Sequence, residues 1–138
     1  MSQSNTQPDA TIFVCVSCRR RLDGAGEAYD EPGRQLVAAL EKHIAETGVA
    51  HVTVEPVECL AACKRPCTLA ITASGKWTYL IGDLDPELHI EEIAAAAVSY
   101  QCSEQGIVPW KERPPTFRRG VISRVPPLGF KQPLPETA

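Results

Sequence analysis

At 138 residues and a net charge of −3, the chain has room for one modest core, and its charge gives no support for a nucleic-acid partner. The N-terminal lead holds neither a basic stretch nor an apolar one, and no run approaches the roughly 20 apolar residues that cross a bilayer, so a soluble cytoplasmic protein with no membrane role is expected. In a reducing compartment its six cysteines point to metal ligands or reactive thiols rather than disulfides.

After a polar lead over residues 1–10, expected to be disordered, Thr11-Ile12-Phe13-Val14-Cys15-Val16 is rich in β-branched and aromatic residues and reads as a strand. Cys15 and Cys18 follow at its end. The segment Arg19-Arg20-Arg21-Leu22-Asp23-Gly24-Ala25-Gly26-Glu27 has no apolar period and reads as a loop. Over residues 32–47, Leu36, Leu40 and Ile44 fall at i, i+4 and i+8, which predicts a helix started by Pro32 and stopped by Gly48. His51-Val52-Thr53-Val54-Glu55-Pro56 alternates as a strand with one solvated face does.

Cys59, Cys63 and Cys67 then recur every fourth residue in the loop Cys59-Leu60-Ala61-Ala62-Cys63-Lys64-Arg65-Pro66-Cys67. Beyond it, Thr68-Leu69-Ala70-Ile71-Thr72 and Trp77-Thr78-Tyr79-Leu80-Ile81 flank Ala73-Ser74-Gly75-Lys76 and predict an antiparallel hairpin. Asp85-Pro86 offers a cap and a first helical proline, and Ile90, Ile93 and Ala97 give the apolar stripe of a second helix. Seven of the twelve prolines lie in residues 109–135, which predicts an extended, largely irregular extension. Val121-Ile122 is its one candidate strand, with Trp110, Phe117 and Phe130 available to pin it to the body. The expected organisation is the lead 1–10, a domain over 11–104 and a proline-rich extension over 105–138.

The order β-α-β-β-β-α, with cysteines after the first strand and between the second and third, resembles the thioredoxin-like [2Fe–2S] ferredoxins and the related small subunit of respiratory NADH dehydrogenase. The Cys-Leu-x-x-Cys arrangement of Cys59-Leu60-Ala61-Ala62-Cys63 and the length of the intervening helix carry that likeness, over residues 11–100. The opening VCVSCR, the loop CLAACKRPC and the closing GIVPWKERPPTFRRGVISRVPP are also similar to a bacterial family of unknown function, DUF1636, described as predicted metal-binding proteins. The resemblances imply an α/β thioredoxin-like ferredoxin fold with a mixed sheet, metal binding, homodimers, and an association with cobalamin metabolism that no residue here indicates by itself.

A [2Fe–2S] cluster needs four thiolates converging from nearby loops. Cys15 and Cys18 supply one pair and Cys59 and Cys63 the other. The ferredoxin pattern has more residues between its first two cysteines than occur here, so Cys67 stands as an alternative fourth ligand to Cys18. Arg19, Arg20 and Arg21 beside the first pair, and Lys64 and Arg65 beside the second, would favour the more negative reduced cluster, although solvated loop charge explains them as well. The expected function is one-electron transfer between redox partner proteins.

Four cysteines also satisfy zinc, which would make the protein a structural or accessory module, but zinc ribbons pair two short knuckles without a helix and strand between them. A third reading takes Cys15 and Cys18 as a thiol–disulfide pair. Such thiolates draw on a helix N-terminus, which the sequence places well downstream, and that reading leaves the other cysteines unexplained. Cys102, alone after the second helix, reads as a small hydrophobe. His43, His51 and His89 share no spacing that suggests ligation. The acidic residues Asp83, Asp85, Glu87, Glu91 and Glu92 suit a solvated helix start better than a docking site. No catalytic motif appears, so a carrier rather than a substrate-converting enzyme is expected.

Overall fold

The computed structural model describes residues 9–17, 20–21, 29–61 and 65–133. Strand β1 (Ala10–Cys15) is followed by the short strands β2 (Arg20–Arg21) and β3 (Tyr29–Asp30), helix α1 (Pro32–Thr47), and strands β4 (Val52–Val57), β5 (Leu69–Thr72) and β6 (Thr78–Ile81). Helix α2 (Ile90–Cys102), a 3-10 turn (Trp110–Glu112), the short helix α3 (Thr116–Arg119) and strand β7 (Val121–Val125) complete the described chain. One five-stranded sheet has the order β4-β1-β5-β6-β7, while β2 and β3 pair only with each other. Only β4 runs parallel to its neighbour β1; the other pairings in the large sheet are antiparallel.

β1 is an inner strand that buries Ala10, Ile12 and Val14 on one face, where α1 and α2 pack against it and against each other. Leu36 and Leu40 of α1 and Ile93, Ala96, Ala97 and Tyr100 of α2 close that core. Gly48 ends α1 in the left-handed region at φ 72°, its amide donating to Ile44 O at 3.0 Å, as the sequence predicts. The β5–β6 hairpin also follows expectation.

Three expectations are corrected. Ala10 belongs to β1 rather than to the polar lead, its amide donating to His51 O at 2.9 Å. Arg20–Arg21, expected in a loop, pair with Tyr29–Asp30. The second helix begins at Ile90 and not at the Asp85-Pro86 cap, because the Asp85 carboxylate is taken up by the amides of Glu87 (2.7 Å) and Leu88 (3.1 Å) in a separate turn.

The proline-rich segment is largely irregular, as expected, but it is anchored to the body and its candidate strand forms. β7 forms five residues of sheet edge on β6, and Val108 and Phe117 enter the same core as α1 and α2. Of the three aromatic pins, Phe117 is buried, Phe130 meets Trp77 edge to face with ring centroids 5.2 Å apart, and Trp110 stays exposed beneath Arg113 and Arg118. No helix among the described residues is long and apolar enough to cross a membrane.

Candidate metal centre

The strand registers send the cysteines to one end of the sheet. Cys15 closes β1 opposite Val57, the last residue of parallel β4, so Cys59 emerges two residues beyond the rung that Cys15 occupies. Antiparallel β5 enters from the same end, and the Cys15 amide donates to Thr68 O at 3.0 Å, next to Cys67. Two segments, the exit of β1 and the β4–β5 loop, therefore deliver Cys15, Cys59 and Cys67 to one end of the sheet. Cys18 and Cys63 lie outside the described residues, as do Arg19 and Lys64 and most of the arginine-rich loop. Among the described residues, no group of three or more His, Cys, Asp or Glu stands close enough to hold a metal ion.

The environments of the three cysteines differ. Cys15 is buried, its sulfur 3.8 Å from Glu58 O and 3.7 Å from Ser17 Oγ. Cys59 is exposed, and its sulfur accepts the Ala61 amide at 3.2 Å. Ala61 adopts φ 60°, a left-handed conformation costly for any residue with a side chain, and this tight turn brings the amide back onto the sulfur. Cys67 is fully buried within the hydrophobic core, and its backbone exchanges hydrogen bonds with Leu84.

Sequence reasoning missed two features that build this edge. Gly33, in the first turn of α1, lies so close to β1 that an added Cβ would stand 1.9 Å from Cys15 O. The amide end of α1 thus abuts Cys15. The sequence sets this helix well downstream of the first cysteines, whereas the fold brings its first turn onto the Cys15 backbone. That end of a helix favours negative charge, such as a thiolate carries.

The second feature holds the far leg of the cysteine loop. Arg65 donates from Nε (2.8 Å) and Nη2 (2.6 Å) to Asp83 Oδ2, Asp83 N–H donates to Arg65 O at 3.0 Å, and Thr68 Oγ1 donates to the same carbonyl at 2.9 Å. Asp83 was expected in a solvated acidic stretch. Its partner Arg65 was singled out, but only as loose charge near sulfur.

Set beside known proteins, the chain resembles ferredoxins in fold. A solved structure of a thioredoxin-like [2Fe–2S] ferredoxin from Aquifex aeolicus superposes with a TM-score of 0.56 at 20% identity, covering 90% of this chain and 99% of that one. The wild-type ferredoxin of the same organism gives 0.53 at 21% identity, over 84% of this chain and 98% of that one. At such identity the likeness shows the fold alone, and that fold is thioredoxin-like. No curated protein matches the chain. The family model described as protein of unknown function (DUF1636) matches residues 12–127, and the chain belongs to that family.

Proposed function

We propose that this member of the DUF1636 family is a ferredoxin-like electron carrier with a [2Fe–2S] cluster held by Cys15, Cys18, Cys59 and Cys63. The observation that carries the reading is the arrival of Cys15 and Cys59 at one end of the sheet, where the Ala61 amide donates to the Cys59 sulfur as it would to a charged ligand. The likeness in fold to [2Fe–2S] ferredoxins supports the same reading. Cys67, whose sulfur belongs to the core, ranks behind Cys18 as fourth ligand.

The cluster, when bound, supplies exchange of one electron between a donor protein and an acceptor protein. The chain's own residues do the rest. Burial of Cys15 keeps water from its sulfur, the Ala61 amide offsets negative charge on Cys59, and the exposure of Cys59 gives a partner its side of approach. Arg65 adds positive charge at the loop exit, although its pairing with Asp83 cancels much of it.

Purification without oxygen, with visible absorption and assays of iron, sulfide and zinc per chain, tests the proposal. Visible absorption with iron and sulfide in equal amounts is expected, lost on Cys59→Ser and retained on Cys102→Ser. A colourless protein with stoichiometric zinc and no sulfide overturns it in favour of a structural zinc module. The amide end of α1 beside Cys15 favours a second reading, a thiol–disulfide pair of Cys15 and Cys18. That reading takes first place if neither metal is found and the pair cycles with a dithiol.

A further inference from the structure

A cleft of about 350 Å³ opens at the same end of the sheet, beside the exit of the cysteine loop. Gly82 and Asp83 line it from the connection after β6, His89 and Glu92 from the start of α2, and Thr116 and Arg119 from α3. Its size falls at the small end of ligand pockets. The floor depends on glycine: Gly82 N–H donates to Gly120 O at 2.8 Å, and a Cβ on Gly120 would stand 2.4 Å from Thr116 O and 2.8 Å from Gly82 O. The proline-rich segment is thereby held close against the β6–α2 connection, with the cleft between them.

The polar groups around this space carry both signs, and each has capacity left over. The Arg119 guanidinium has no hydrogen-bond or ion-pair partner among the described residues. His89 Nδ1 accepts the Asp85 amide at 2.9 Å, which assigns the proton of the neutral ring to Nε2, a donor with no partner among the described residues. Among the described residues, both carboxylates are engaged through one oxygen only. Asp83 receives Arg65 on Oδ2, which leaves Oδ1; Glu92 receives the Thr116 amide and hydroxyl on Oε1 at 3.1 and 3.0 Å, which leaves Oε2.

Residues carrying two donors and two acceptor oxygens with capacity to spare therefore line one concavity. A simple anion meets Arg119 but also two carboxylates, and a simple cation meets the carboxylates but also Arg119. A ligand with opposite charges a few bonds apart satisfies both sets. We propose that this cleft binds a free α-amino acid, its carboxylate on Arg119 and His89 Nε2 and its ammonium group on Asp83 Oδ1 and Glu92 Oε2. No cysteine takes part, so the site stands apart from the metal-centre reading.

Calorimetric titration of the full chain with the standard L-α-amino acids tests this, each binder being compared with the amine that lacks its carboxylate and the acid that lacks its amino group. At least one amino acid binds with a Kd of about 1 mM or tighter, and both single-charge counterparts bind about tenfold more weakly or worse. Arg119→Ala weakens binding by about tenfold or more and leaves the thermal midpoint and the metal content unchanged, because the guanidinium supports nothing else among the described residues. Arg119→Lys restores part of the affinity. The proposal is overturned if no amino acid binds, if the acid lacking an amino group binds equally well, or if Arg119→Ala binds as the natural chain does.

Discussion

A methyl group at residue 33 would have to occupy the space of the Cys15 carbonyl oxygen, 1.9 Å away, with Cys15 C at 2.8 Å behind it. Neither neighbour is a flexible side chain, so the backbone itself must move. Gly33→Ala should cost about 2 kcal/mol or more in urea unfolding, and with Cys15 in the proposed ligand set it should also lower the metal bound per chain. A variant with full stability and full metal content would show that α1 does not set the position of Cys15.

Tyr100 makes a second residue-level prediction, at the far end of the sheet. Its hydroxyl donates to Trp77 O, and burial, then the neighbouring Tyr79, pushes its pKa up to about 12, with a backbone hydrogen bond acting in the opposite sense. The unfolded chain releases this proton near its ordinary value of 10, so between pH 10 and 12 the folded state binds more protons than the unfolded state. The stabilisation is complete below pH 10 and is lost as pH rises toward 12, by about 2 kcal/mol. Lys76 has the opposite sign. Burial lowers its pKa, so a cost of charging it in the fold is relieved as pH rises toward 10.5. Tyr100→Phe should lose about 1 kcal/mol at neutral pH and flatten the alkaline fall in a pH series of urea midpoints; an unchanged fall would assign it to other groups.

Among the elements, those with their own terminators were legible and those defined by distant partners were not. α1 carries its apolar period, Pro32 at the start and Gly48 at the stop, and its bounds match the expectation. α2 shows the same period, but Asp85 capped a turn ahead of it, and the sequence does not distinguish a carboxylate that starts a helix from one that closes a turn. β7 gave a weaker signal. Val121-Ile122-Ser123-Arg124-Val125 lies at the sheet edge, half-buried at its start and exposed beyond, so it lacks the alternation of an inner strand. The cysteine spacing singled out candidate donors, whereas the contacts of Gly33 and Asp83 are long-range and left no local mark. Lys76, in the hairpin loop, likewise gave no hint that its Nζ would donate to Tyr100 O (3.3 Å) and Gln101 O (3.0 Å) at the end of α2.

The C-terminal segment therefore belongs to the fold, and Phe117 tests that claim. Its side chain is buried between α2 and β7, in the core shared with Ile81, Leu84 and Ile93. Phe117→Ala should cost about 3 kcal/mol, whereas an ornamental tail would tolerate the change within about 0.5 kcal/mol. Chemical unfolding followed by Trp fluorescence discriminates the two.

Across the whole molecule the sheet has two unlike ends. At the hairpin end, Lys76 holds the last carbonyls of α2, Trp77 N–H donates to Gln105 O at 2.9 Å, and Gln101 Nε2 donates to Ala50 O at 2.9 Å. These contacts join side chains and backbone within the protein and need no ligand. At the cysteine end, buried Cys15 and Cys67 and exposed Cys59 lie on the loops that leave and enter β1, β4 and β5. If a metal centre joins those loops, its binding free energy is stability confined to that end. Stripping the metal with a chelator should then speed amide exchange at Cys15, Val16, Cys67 and Asp83, whose bonds run between the cysteine-bearing loops and their supports. Exchange at Trp77 and Val108, at the other end, should change little. Uniform acceleration would mean that the metal supports the global fold, and no change at either end would mean that these loops are organised without it.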